Sequence, residues 1–486
     1  MQNGTSVRER VKMQWRRWRR RVGVNCLGVL FALVASPIVA EPPETGKAER
    51  PLAPADEAAT SMADDPTEAV QVLRLEEAYQ LAVANDEQIK IAGSELAKAQ
   101  LLPWRAIAML TPRADVPGVF TRNKEEISFS QQPTLPGQTG TPSVIRPLES
   151  WQWTFVLTQP IFQPAFLPTL QLGKDSVQQN TQNYGFTISE VLFGVARAYY
   201  DVLRAREQVR VTADTLKLTK DDLKQAEARF RVGEVTKTDV LRAEVAVAQA
   251  ERTLVANQNI LQLTFATLAR VVGIPEPLRV AEPAPLASRG ERYEQLVETA
   301  YSQRQDLRAQ AAAVEVARDR KNQVLARYAP QVNTQWQYPR LDSPTFANRD
   351  KFWVLTLNFQ VPLFDGGIRE LDVQDQQENL AQAEFQLEQL KKNVGLEVKR
   401  TLLTVETLEA TLATLKKEVT LAQENYKITS KQYGVGLATS LDVNTALNTL
   451  NQVRTQLIDQ TYAYQVELLA LDRAIGAFGK AYIPQR

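Results

Sequence analysis

The chain is 486 residues long, 44% hydrophobic and 23% charged, with 57 basic residues against 56 acidic ones. These proportions belong to an ordered protein and exclude a disordered tail or a collagen-like repeat. There is no histidine and a single cysteine, Cys26, which removes histidine triads, imidazole or thiolate metal sites and disulfides. No metal and no cofactor are expected, and an enzyme would have to rest on carboxylates, serine or lysine.

Residues 1–40 open with Arg8, Arg10, Lys12, Arg16, Arg17, Arg19, Arg20 and Arg21 against the lone acid Glu9, continue through an apolar core from Val22 to Ala35, and end on Ala40. A basic start, a short greasy core and a small final residue make a secretory signal peptide, and the core falls short of the roughly 20 residues a spanning helix needs. Loss of these eight bases and one acid turns a net charge of +1 into −6, a sign that argues against nucleic acid as a partner. Residues 41–71, mixing Pro, Ala, Glu and Asp without periodicity, read as a flexible leader.

A first repeat is expected over residues 72–280. It begins with helix and then a β-hairpin at about 112–162, where Trp151, Trp153, Phe155 and Leu157 alternate with Gln152, Thr154, Val156 and Thr158. The Pro-, Gly- and Thr-rich stretch 131–147 reads as a long loop. Residues 170–231 lack proline and predict a helix on the order of 90 Å. It reverses at a tip, about 230–240, and returns as a helix with Val240, Val247, Leu254, Leu261 and Leu268 seven apart. A Pro-rich segment at 274–285, with the linker proper at 281–289, leads to a second repeat at 290–480. There the hairpin falls at about 330–364, with Val332, Thr334, Trp336 and Tyr338 on one face and Trp353, Leu355, Leu357 and Phe359 on the next strand. A seam of Leu408, Leu412, Leu415, Val419, Ala422 and Tyr426 precedes the second tip at about 433–443.

The two halves align without a gap around the tips. Gly233 matches Gly436, Thr236 matches Thr439, Asp239 matches Asp442, and Gly273 matches Gly476. Upstream, Pro160-Ile161-Phe162 matches Pro362-Leu363-Phe364, with about 16 extra residues in the first hairpin. Strands with an aromatic face and a mainly polar face suit a barrel wall between lipid and water. Beyond the signal no apolar run is long enough for a spanning helix, so only a closed barrel gives such a chain a route through a membrane. Four strands are too few to close one, so copies must combine.

This order of helix, hairpin, long helix and returning helix, given twice, resembles the TolC-type outer-membrane efflux proteins. The likeness covers about 72–480 and is sharpest in Val-Gly-x-x-Thr-x-x-Asp-Val at 232–240 and 435–443. It implies a mainly α protein with a membrane β-barrel: a homotrimer with four strands per chain in a twelve-stranded barrel, and long coiled-coil helices forming a periplasmic α-barrel. The implied role is a passive exit duct of a tripartite efflux or type I secretion system in the outer membrane, receiving cargo through a periplasmic adaptor from an inner-membrane transporter. In that picture Trp151, Trp153, Phe155, Trp336, Tyr338, Trp353 and Phe359 face outer-membrane lipid, and Val232, Gly233, Thr236, Val435, Gly436 and Thr439 form adaptor-docking tips. Asp442 matches a constricting acidic ring whose next member is replaced by Thr445. Asp239 and Tyr433 match a polar latch whose arginine position holds Ala438, so the closed state must be held differently or less firmly. Two other classes remain: a soluble periplasmic coiled-coil adaptor, which leaves the aromatic hairpins unexplained, and a secreted carboxylate enzyme, for which Asp239 and Asp442 lie on helical turns rather than in a cleft.

Overall fold

Two rods dominate the chain. Helix α4 (Phe166–Arg231) runs 66 residues and α8 (Ile368–Gly434) runs 67, each about 100 Å long at 1.5 Å per residue. The computed structural model describes residues 72–130, 142–275, 279–286, 290–342 and 352–483. The expected signal peptide and leader, and residues 131–141 of the expected loop, lie outside the described residues.

The first half runs β1 (Val72–Leu73), α1 (Leu75–Asn85), α2 (Glu87–Ala99), α3 (Leu102–Ala108), β2 (Arg113–Asp115), β3 (Gly118–Arg122), β4 (Ile127–Ser130), β5 (Pro142–Arg146), β6 (Glu149–Phe162), α4 and α5 (Lys237–Val272). After β7 (Arg279–Val280) the second half gives α6 (Tyr293–Gln303), α7 (Gln305–Leu325), β8 (Gln331–Leu341), β9 (Val354–Gln360), α8 and α9 (Ser440–Ala474). Rod α4 packs against both α5 and α9, and α9 packs against α8. The heptad positions do this packing. Leu415, Ala422 and Tyr426 are buried along α8, Val240 and Leu268 along α5, and Val443, Leu450 and Leu471 along α9. The other faces of the rods are polar or singly apolar, as helices buried on one stripe require.

The main core lies midway along the rods. Ile188, Leu192, Val195, Tyr199, Val202 and Leu203 of α4 meet Ala78, Tyr79 and Ala82 of α1, Leu268 and Val272 of α5, and Tyr462 and Leu469 of α9. In the second half Arg304 joins Asp306 (2.8 Å) and Glu397 (2.6 Å), while Arg473 joins Glu397 (3.0 Å) and Glu190 (2.6 Å). This chain of charges ties the junction of α6 and α7 to α8, α9 and α4 at one level.

The sheet is antiparallel and open. Strand β6 takes β2 and β3 in succession along one edge and β8 along the other, and β9 pairs with β8. This makes four staves per chain.

One detail is new and two expectations need correction. The first strand of the hairpin is broken at Val116-Pro117, because proline has no N–H to give the ladder. The stretch 131–147 is not all loop: β5 pairs with β4, prolonging the hairpin with an irregularity between Ile127 and Ser128. The segment between the halves is more than a linker, since β7 lies parallel to β1 and the Tyr199 hydroxyl donates to the carbonyls of Leu73 (3.0 Å) and Ala281 (2.6 Å).

Candidate functional site

The sheet register sorts its side chains cleanly. Leu157 lies opposite Trp336, which lies opposite Leu355; Phe155 lies opposite Tyr338, and Val332 opposite Phe359. With the two-residue period of strands, Trp151, Trp153, Phe155, Trp336, Tyr338, Leu355, Leu357 and Phe359 share one face. Trp151 and Trp153 stack at 6.1 Å, Phe120 meets Trp151 at 4.8 Å, and Phe155 meets Trp336 edge-on at 5.7 Å. Gly118 leaves room for this layer, because a Cβ there would fall 2.4 Å from the Trp153 ring. Phe359 and Trp353, just before β9, are about two-thirds exposed, Trp151, Trp153 and Phe155 are exposed, and Trp336 and Tyr338 are half-buried among their neighbours. The opposite face carries Thr154, Thr158, Gln335, Gln337, Asn333, Thr356 and Asn358, with Asn358 donating to Asn333 at 3.1 Å. Among the described residues no helix is long and apolar enough to cross a membrane.

At the far ends of the rods, the duplicated motif is a stop-and-restart code. Gly233 (φ +79°) and Gly436 (φ +80°) adopt the left-handed conformation that closes a helix. Glu234 N–H returns to Arg229 C=O at 3.0 Å and Gly233 N–H to Phe230 C=O; in the second tip Leu437 returns to Gln432 (2.8 Å) and Gly436 to Tyr433 (3.1 Å). These are paired Schellman closures. Three residues after each glycine a threonine restarts the helix. The Asp239 carboxylate accepts from the Thr236 backbone N–H (3.1 Å) and hydroxyl (2.8 Å), and Asp442 does the same for Thr439 (2.8 and 2.7 Å). Both aspartates therefore act as capping-box acids at a positive helix end.

Their second oxygens differ. Asp239 accepts a 2.6 Å hydrogen bond from Ser440 at the start of α9 and lies 3.7 Å from Arg242. Its carboxyl is held below the usual range by the Ser440 bond first and by Thr236 second. Asp442 is exposed, its carboxyl lowered by the Thr439 bonds. Thr445 is exposed one turn further on, its hydroxyl returned to Leu441 C=O.

The two tips are joined by a residue that no motif or spacing singles out. Arg229, near the end of α4, donates to the Tyr433 carbonyl, stands 4.8 Å over the Tyr433 ring and pairs with Glu234 at 3.0 Å. Tyr433 is buried among Ala422, Tyr426, Val443 and Leu447, and Ala438 packs against the same cluster. The Tyr433 hydroxyl does not reach Asp239; it is buried without a hydrogen-bond partner. Of the two residues expected at a latch, Asp239 is bonded to Ser440 and Tyr433 to Arg229, not to each other. Above it, a groove of about 860 Å³ runs between α5 and α9 over α4, lined largely by Thr, Asn and Gln. Val232, Val435 and Leu437 stay 70% or more exposed on the turns, beside exposed Gly233, Gly436, Thr236 and Thr439.

Comparison with known proteins decides the family. The sequence profile described as "Outer membrane efflux protein" matches residues 78–274 and 296–477. The chain belongs to the outer membrane efflux protein family. Outer membrane protein TolC of Salmonella enteritidis is 23% identical over 336 residues, 67% of this chain and 68% of that protein. The proteases secretion protein PrtF of Dickeya chrysanthemi is 21% identical over 84% of this chain and 89% of its own length. Among solved structures, CusC superposes with a TM-score of 0.70 at 16% identity, covering 86% of this chain and 95% of that one. The Vibrio cholerae outer membrane protein VceC gives 0.67 at 19%, covering 83% and 96%. Membership places the chain in the outer membrane as a component of efflux or type I secretion, and displaces the soluble adaptor reading.

Proposed function

We propose that three copies of this chain close into one duct, each giving four staves to a twelve-stranded barrel and four long helices to a periplasmic tube, through which cargo passes passively. The observation that carries this is the open sheet: one face is aromatic, the other is mainly Thr, Asn and Gln with Val156 and Val354 among them, and among the described residues both outer edges lack a partner strand. Two copies would close only eight strands, whose interior side chains fill. Three copies give twelve and leave a passage. Strand β6, at 14 residues, spans about 35 Å when tilted by about 40°, enough for the apolar band of an outer-membrane barrel.

The aromatic face would meet lipid and the amide face the lumen. The exposed Val232, Val435 and Leu437 on rigid turns suit docking by the hairpin of a periplasmic adaptor, which connects the duct to an inner-membrane transporter. Asp442 and Thr445, side by side and unshielded, would line the narrowest point, and the seam of Asp239, Ser440, Arg229 and Tyr433 would hold it shut. Export through such a duct asks for no bond-making chemistry. Single-channel recording of the purified protein, with its oligomeric mass, tests the reading. A trimer with discrete ion conductance is expected; a monomer that leaves bilayers tight would sink it.

A further inference from the structure

Just behind the seam lies a small, partly open cavity of about 20 Å³, where all four long helices of the chain meet: Thr219, Asp222 and Ala226 from α4, Ala243 and Ala246 from α5, Tyr433 from α8, and Ser440, Val443 and Asn444 from α9. It has room for one water molecule. Two features make it unlike the rest of the coiled-coil interior. Asp222 contributes the one carboxylate to a lining otherwise made of alanine, valine, hydroxyl groups and the Asn444 amide. Tyr433 brings a buried hydroxyl without a partner. The only hydrogen bond to the Asp222 carboxylate among the described residues comes from the Tyr426 hydroxyl, at 3.1 Å.

The charged neighbours do not compensate Asp222. On its own helix Asp221 adds a like charge and is itself paired with Lys224 at 3.4 Å. Arg229 is turned to Tyr433 and Glu234. On α5, Arg242 and Asp239 face one another, with Asp239 also bonded to Ser440. Tyr426 and Tyr433 are the ionisable groups offered by α8, and α9 contributes only Ser440, Val443 and Asn444 to the chamber. A charge held this way, with one hydrogen bond and no cation, is tolerated poorly where helices pack and well where water reaches it.

We propose that Asp222 is a proton-operated brace of the tip: protonated, it lets the two helix pairs pack together, and ionised, it favours their separation. The proposal rests on the reading of this tip as the gate of the duct. Burial pushes the Asp222 carboxyl from 3.8 up to about 6, with the Tyr426 bond opposing and Asp221 assisting. The packed tip therefore binds the proton more tightly than a separated, hydrated one. Its extra closure is full below about pH 4, fades as the pH rises through about 6, and is absent above that. The interval between the two values bounds the effect at about 10²-fold in the ratio of separated to packed tips per chain.

The test reads separation directly as well as through conductance. Ala243→Cys, on the chamber wall, is labelled with a small maleimide in the full-length trimer, with and without Asp222→Asn, whose neutral amide keeps the Tyr426 bond. The labelling rate with Asp222 intact, divided by the rate in the Asp222→Asn protein, cancels the pH dependence of the thiol. That ratio is expected near one at pH 4 and rising, by up to about 10²-fold, at pH 7. A ratio that stays flat or falls overturns the brace. Ala246→Cys repeats the measurement should Ala243→Cys not assemble. A flat ratio in a conducting trimer removes the brace alone, whereas a rising ratio in a protein that never conducts removes the duct and leaves the brace.

Discussion

Replacing Arg229 by alanine should loosen the seam between the two helix pairs more than any other single change at the tip. The guanidinium is largely buried, with 14% of the side chain exposed. It gives a charged hydrogen bond to the Tyr433 carbonyl and covers the Tyr433 ring at 4.8 Å. A hydrogen bond to a charged group is worth about 1.5–3 kcal/mol, and a cation over an aromatic face about 0.5–1 kcal/mol at partly exposed sites. The Glu234 partner is more than half exposed, so that ion pair adds little. The Tyr433 carbonyl keeps the Gly436 N–H after the substitution, which places the loss toward the lower end, about 2–3 kcal/mol per chain. That is about a 30- to 150-fold shift of the latched–unlatched ratio in each protomer. Purified Arg229→Ala protein in planar bilayers should show a larger mean conductance and longer open dwell times. Arg229→Lys, which keeps charge but loses the planar stack, should fall between. Arg231→Ala, two residues on and exposed, should behave as wild type. If Arg229→Ala gates and conducts like the parent protein, the arginine does not hold the seam and the energetic reasoning fails.

Three further outcomes follow. Phe155→Arg on the aromatic face should cut the yield of outer-membrane trimer by the equivalent of about 2–4 kcal/mol per chain near the membrane centre, while Thr154→Arg on the opposite face should assemble; equal yields in membrane fractions would refute the assignment of faces. Asp442→Asn should weaken cation preference and block by multivalent cations, measured as reversal potential in a salt gradient, and an unchanged potential removes Asp442 from the constriction. Asp319, buried on α7 beside Asp175, has its carboxyl pushed up to about 6 by burial first and by Asp175 second. The stability linked to that proton is present below about pH 4 and lost as the pH rises through about 6. Asp319→Asn should accordingly melt higher than wild type at pH 8 and no higher at pH 4; identical differences at both would refute it.

Much of the architecture was legible because it is periodic. The seven-residue spacing of Val240, Val247, Leu254, Leu261 and Leu268 marks the stripe that α5 turns inward, and alternation through Trp151, Trp153 and Phe155 marks the face they share. The Val-Gly-x-x-Thr-x-x-Asp motif was legible for a local reason: a Schellman glycine and a capping box each act within a few residues. What escaped is what joins distant segments. Arg229 with Tyr433, Ser440 with Asp239, and Tyr426 with Asp222 are pairs about 200 residues apart, and no spacing rule links them. The one sign available was negative, Ala438 at the position where the family resemblance implies an arginine, and it does not say which residue holds the seam instead. The extra strand β5 was hidden by composition, since proline, glycine and threonine between residues 131 and 147 read as loop, yet Ser143, Val144 and Arg146 pair with β4.

The two margins of the sheet, along β9 and along β2 and β3, have no partner strand among the described residues, which bears on how this protein is made. A lone subunit offers two rows of unmet backbone donors and acceptors to any extended chain nearby, and the hydrocarbon layer supplies nothing to meet them. If three copies close the barrel as proposed, insertion and closure are expected to be nearly simultaneous. Defects on the sheet margins should then surface as degradation before arrival, with few malfunctioning pores ever reaching the cell surface.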